Sequence, residues 1–144
     1  MIDPKIEPMS VPIIWQNFLY RSVLLPWETK LRFQTGFPRF DHRKQVAGIS
    51  LIKFNHLREV KQAWEVSKSK NNFGASLTFY SNGTALKDLL NLLRNCAAHG
   101  HYTQHSKNGW IFFKHEYKGN LKLYGKIKFS SLKELIEFIG NHHD

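Results

Sequence analysis

Apolar residues recur along this chain at two different periods, and the period divides it. Ile14, Trp15, Phe18, Leu19, Leu25 and Leu31 fall at the spacings of a helix burying one face, so a first helix is predicted from Ile13 onward. Pro26 removes a backbone donor within that stripe and crowds the carbonyl four residues back, which predicts a kink or break there. Thr35-Gly36-Phe37-Pro38 ends the pattern. A second stripe, Val46, Ile49, Ile52, Leu57, Val60, Ala63 and Trp64, has Lys53, Arg58, Glu59, Lys61 and Glu65 on its other faces and predicts one long helix. The short apolar insert Leu77 to Tyr80 lies between turn-forming segments and has no period that assigns it. Leu86, Leu89, Leu90, Leu93 and Ala97 then define the clearest helix, with Thr84 placed to cap its start and Gly100 its end.

Beyond Gly100 the period drops to two. Trp110 to Tyr117 and Leu121 to Phe129 flank Lys118-Gly119-Asn120, predicting a hairpin over 110–129. Leu121, Leu123, Ile127 and Phe129 alternate with Lys122, Tyr124, Lys126 and Lys128, so one face reads as apolar and the other as basic. Ser131-Leu132-Lys133-Glu134 has the spacing of a capping box and leads into a short final helix over 132–139, closed by Gly140. Pro4, Pro8 and Pro12 make residues 1–12 an extended leader. The expected architecture is a single domain over 1–144, mainly α, an antiparallel helical bundle with a C-terminal β-hairpin and short final helix.

Composition narrows the class. With 42% hydrophobic residues and 14% aromatic, the chain buries enough to offset its ordering entropy, and 144 residues suffice for one core. Twenty-one Lys and Arg against eleven Asp and Glu leave +10, an excess that favours a polyanion such as RNA through counterion release. Cys96 is the only cysteine, which fits a reducing compartment and removes multi-cysteine zinc motifs. Val11 to Leu25 is interrupted by Gln16, Asn17, Arg21 and Ser22 and lacks the flanks of a signal peptide, so neither a membrane span nor export is expected. The cytoplasm is the expected location.

One constellation carries chemistry. Leu92-Leu93-Arg94-Asn95-Cys96-Ala97-Ala98-His99-Gly100 places an arginine, an amide and an imidazole on the last turn and a half of the third predicted helix. Asn95 and His99, four apart, share a face; Arg94 is on the adjacent one, with a side chain long enough to reach the same spot. His99 sets a titratable ring against the partly negative carbonyl end of the helix. A guanidinium fork beside an imidazole has the parts for cleaving an RNA backbone.

Arg94-Asn95 followed by His99 resembles the motif of the HEPN superfamily, and the string Leu92 to Tyr102, then a hairpin and short helix, is similar to its plasmid-borne, toxin-like ribonuclease branch. The resemblance implies a helical-bundle, metal-independent endoribonuclease without a cofactor, a toxin or phage-defence effector. Its reaction would be attack of a ribose 2′-hydroxyl on the adjacent phosphate. Arg94 and His99 would be catalytic and Asn95 would support them. It also implies a homodimer that joins two such helix ends, with an antitoxin or nucleotidyltransferase as a further partner.

Other readings compete on the residues alone. Arg94 could lie along the bundle surface while His99 only caps its helix. A catalytically inactive RNA-binding module, or an interaction subunit of a toxin–antitoxin pair, would have the same composition. His99, His101, His105 and His115 are spaced closely enough to consider zinc, but no Asp or Glu lies among them to complete a set. Cys96 reads as a packed small hydrophobe rather than a nucleophile. Lys122, Lys126 and Lys128, with Tyr124 to stack on a base, form the candidate RNA-binding face; a solvated strand face is the even alternative.

Overall fold

The computed structural model describes residues 11–70, 75–106 and 109–140, except the side chains of 69–70 and 105–106. A five-stranded mixed sheet runs through it in the order β1-β2-β5-β4-β3, formed by β1 (Ser50–Phe54), β2 (Ser76–Tyr80), β3 (Tyr102–Ser106), β4 (Trp110–Tyr117) and β5 (Asn120–Lys128). The helices are α1 (Ile13–Phe18), α2 (Leu25–Thr29), α3 (Leu57–Lys70), α4 (Ala85–His99) and α5 (Phe129–Gly140). This is an α/β layered fold and not the mainly α bundle expected from the stripes. Sheet pairing between distant segments overrides local periodicity, and the expected long leader falls largely outside the described residues.

The second predicted helix is where the expectation fails. Its first half is strand β1, paired in parallel with β2 from Ser50↔Ser76 to Phe54↔Tyr80, and only its second half is helical, as α3. Ile49 and Leu51 are buried while Ile52 is exposed, the alternation of a strand that a short apolar run disguises. α3 is therefore the crossover of a β-α-β unit, as a parallel pair requires. Leu77 to Tyr80, which had no assignment, becomes β2.

Two cores lie on the two sheet faces. Leu51, Leu77, Phe79, Ile111, Phe113, Leu123 and Ile127 meet α1, α2, α4 and α5 on one side. On the other, Val60 and Trp64 of α3 cover Phe112, Leu121 and Tyr124. Gly125 sits where β5 passes β2, with φ 147°; a Cβ there would stand 2.1 Å from the Ser76 carbonyl oxygen, so only glycine permits this strand approach.

The N-terminal helix is continuous through the predicted break because it widens. Trp15, Leu19, Val23, Trp27 and Leu31 are buried at strict four-residue intervals, whereas Ile14 and Leu25 of the expected stripe are exposed. An α-helix turns every 3.6 residues, so four-residue spacing drifts around it. The π-helical stretch Leu19–Leu24, with Leu25 N–H donating to the Tyr20 carbonyl, takes up that drift and keeps the stripe on one face. Pro26 follows directly after this wider stretch, which takes up the break predicted for it.

At the other end, α5 begins at Phe129, directly from β5, so Ser131 and Glu134 lie inside the helix instead of capping it. Phe129 leaves the strand alternation and stacks on Trp15 with ring centroids 4.9 Å apart. Among the described residues no helix is long and apolar enough to cross a membrane.

Candidate functional site

α4 positions the site. Leu86, Leu89, Leu90, Leu93 and Cys96 are fully or almost fully buried along its core face, which fixes the rotation of the helix and turns Arg94, Asn95 and His99 away from the core. Cys96 has no exposed surface and burial pushes its thiol up, so it is a packing residue. Gly100, at φ 69°, ends the helix in the left-handed conformation, and Cys96 accepts from the backbone N–H of both Gly100 and His101. The chain thereby reverses between His99 and His101, bringing their ring centroids to 5.8 Å.

His101 opens into β3 and meets His115 of β4. The two Nδ1 atoms are 2.9 Å apart, so one ring donates and the other accepts. His115 is buried on the α4 side of the sheet, and burial, aided by the charges of His101 and Lys122, lowers its pKa to about 4. Burial also lowers His101, followed by repulsion from His99, with Glu116 opposing. The pair is therefore neutral at physiological pH, while His99, exposed, stands at its open end.

Lys122 reaches this group through a bulge. His115 pairs with Leu123 and Glu116 with Leu121, which leaves Lys122 without a cross-strand partner. Leu121 is thereby delivered to the Trp64 core, and Lys122 separates from Lys126 and Lys128 to lie near His115 and over the Tyr117 ring at 5.5 Å. The bulge sits next to a two-residue turn in which Lys118 and Gly119 both have positive φ, 52° and 80°.

The four expected RNA-binding residues thus do not form one face. Tyr124 is 3% exposed, its ring 5.1 Å from Trp64 and its hydroxyl 3.5 Å from Ser67 Oγ, so its face is covered by protein. Lys126 and Lys128 instead lie over Trp110, at 5.3 and 5.9 Å.

Arg94 and Asn95 come together, each engaged with the other. Arg94 Nη1 donates to Asn95 Oδ1 at 2.7 Å, and Nη2 forms an ion pair with Glu28 of α2. The guanidinium fork expected to hold a phosphate is already engaged by an amide and a carboxylate. His99 makes no hydrogen bond to either residue among the described contacts, although it shares Asn95's helix face. Glu28 was not legible as a partner; its one signal is that it is the sole acidic residue from Ile13 to Phe33. His101 and His115 stood out in the sequence only as possible metal ligands. Among the described residues no group of three or more His, Cys, Asp or Glu is arranged to hold a metal ion, and the His105 side chain lies outside them.

The arrangement offers an exposed imidazole, a neutral imidazole pair behind it and a lysine at its side. No protein-family model, curated protein or solved structure matches the chain.

Proposed function

We propose that this protein is a metal-independent endoribonuclease whose acid–base groups lie at the end of α4. The observation that carries the reading is the row His99, His101, His115, with ring centroids 5.8 and 5.1 Å apart, beside Lys122 in a chain of net charge +10. Cleavage through the 2′-hydroxyl needs a base, an acid and a cation, and needs no redox or activated-water chemistry. In this reading the 2′-oxygen bonds to phosphorus as neutral His101 takes its proton, with His115 orienting the ring. The bond from phosphorus to the 5′-oxygen breaks as His99 supplies a proton to it, and Lys122 balances charge on the phosphorane. The products are a 2′,3′-cyclic phosphate and a 5′-hydroxyl. All these groups come from one chain, so the reading does not depend on a homodimer. Uncontrolled cleavage of this kind would harm a cell, which fits the toxin or phage-defence setting, with an antitoxin-like partner, that the motif resemblance implies.

A second reading, a catalytically inactive RNA-binding module, is favoured by one observation: Glu28 and Asn95 occupy Arg94. Incubating the protein with total RNA in chelator, beside His99→Ala and His101→Ala, separates the two. Cyclic-phosphate ends that appear with wild type and vanish with both variants are expected. Binding without cleavage by wild type selects the inactive module, and full activity in both variants removes the histidine mechanism.

A further inference from the structure

Trp110 opens β4 directly across from Lys128, the last residue of β5, and diagonally from Lys126. Both ammonium groups lie over its indole, at 5.3 and 5.9 Å, and the three side chains are at least partly open to solvent, Lys128 the most exposed. They share the sheet face that carries α3, where Trp64 of α3 lies against the next rows, Phe112 and Tyr124, at 6.2 and 5.1 Å, and Trp110 beyond them keeps part of its surface open. His115, five residues along an unbroken β4, points to the opposite face, so this surface is not a wall of the histidine site.

An indole beside two lysines at a sheet end has the chemistry of one particular ligand. A base has two π faces and stacks on an aromatic ring, while the phosphates on either side of it carry the charge that the ammonium groups match. In a duplex the base faces are already stacked on one another and unavailable to Trp110. An acidic peptide would satisfy the lysines and leave the indole without a partner. We infer that Trp110, Lys126 and Lys128 form a binding surface for single-stranded polynucleotide, reading base stacking and backbone charge and not the 2′-hydroxyl. The surface accepts DNA as well as RNA, and it is independent of whether the histidine row cleaves.

A short oligodeoxythymidylate, which has no 2′-hydroxyl and is not a cleavage substrate, tests this on the full chain by fluorescence anisotropy across a range of salt. Trp110→Ala is expected to weaken binding by about tenfold or more, and Trp110→Phe, which keeps a stacking ring and guards against loss of fold, to stay within about threefold of wild type. Lys126→Ala with Lys128→Ala, beyond the part of the face that α3 covers, is expected to reduce the slope of log affinity against log salt by about 1.4, two single-strand phosphate contacts. Affinity unchanged in Trp110→Ala, an unchanged salt slope in the lysine pair, equal affinity for a duplex of the same length, or equally effective competition by oligoglutamate would each overturn the assignment. Because the probe cannot be cleaved, these outcomes leave the endoribonuclease reading to its own test.

Discussion

His101 and His115 face each other through Nδ1 atoms 2.9 Å apart, one at the mouth of β3 and the other inside β4. A single proton lies between them in the neutral pair. Adding a second at the acceptor Nδ1 removes the lone pair that takes the hydrogen bond and leaves two N–H groups facing each other on a pair that now carries a positive charge, next to Lys122. Burial lowers both rings, with His99 adding to it at His101 and His101 and Lys122 adding to it at His115, which falls from 6.5 to about 4.

The pair therefore makes stability depend on acid. An imidazole in the unfolded chain takes a proton near pH 6.5, whereas His115 in the folded chain resists it until about pH 4. Between these values the unfolded state binds more protons, so stability is fully present above about 6.5 and is lost as pH falls through 4, by about 3 kcal/mol. Urea denaturation from pH 7 to 4 should show this decline in wild type. His115→Gln, with no ionisable ring, should flatten it; the same decline in that variant would show that other groups are responsible.

Arg94 and His99 should separate by stability. His99 is exposed and makes no hydrogen bond among the described residues, so His99→Ala should leave the melting temperature unchanged while removing cleavage. Arg94→Ala removes the closer of the two ion pairs of the half-buried Glu28 carboxylate, leaving it only Arg32 at 3.8 Å, and should cost on the order of 1 kcal/mol. The sequence alone would assign both variants the same negligible cost. Equal melting temperatures for the two would mean that the Glu28 contact contributes nothing to the fold.

The second core should be sensitive at two positions of β5. Tyr124→Ala empties the space under Trp64 and should cost about 3 kcal/mol, while Tyr124→Phe keeps the ring there, gives up the hydroxyl with its long contact to Ser67, and should cost less. Gly125→Ala drives a methyl group into the Ser76 carbonyl at a φ of 147°, so it should cost more than either, with little folded protein recovered. Thermal melts of the three variants check the order, and a stable Gly125→Ala protein would contradict the close β2–β5 approach.

Much of this was legible where local signals and tertiary context agree. The α4 span follows from its leucine spacing and Gly100, and the hairpin follows from the period and the Lys118-Gly119 turn. The fold class was not legible, because β1 is a strand by virtue of pairing with β2, and Val46 to Trp64 matches a helix period equally well on its own. The site was half legible. Arg94, Asn95 and His99 carry the motif, but the bulge that moves Lys122 toward His115 leaves no trace in an alternation where Leu121 and Leu123 are both apolar and serve opposite faces. The Nδ1 contact of His101 and His115 depends on a strand register that spacing alone does not give.

That register also changes what oligomerisation should do to activity. A lone Arg94, Asn95 and His99 at a helix end supply too few groups for a base, an acid and a charge stabiliser, which is the reason a two-fold pairing of helix ends was expected. The folded chain instead gathers His99, His101, His115 and Lys122 within one molecule, with the neutral pair available to accept a proton and the exposed ring to donate one. Each copy should then work alone. Mixing wild type with an excess of His99→Ala protein, under conditions where any subunits exchange, should lower activity only in proportion to the wild-type fraction. Lys122→Ala should reduce kcat with little change in melting temperature, since Lys122 is unpaired in the sheet and contributes to the site through charge. Suppression beyond dilution in the mixing experiment would show that two chains share a site and return the second proton carrier to a partner copy.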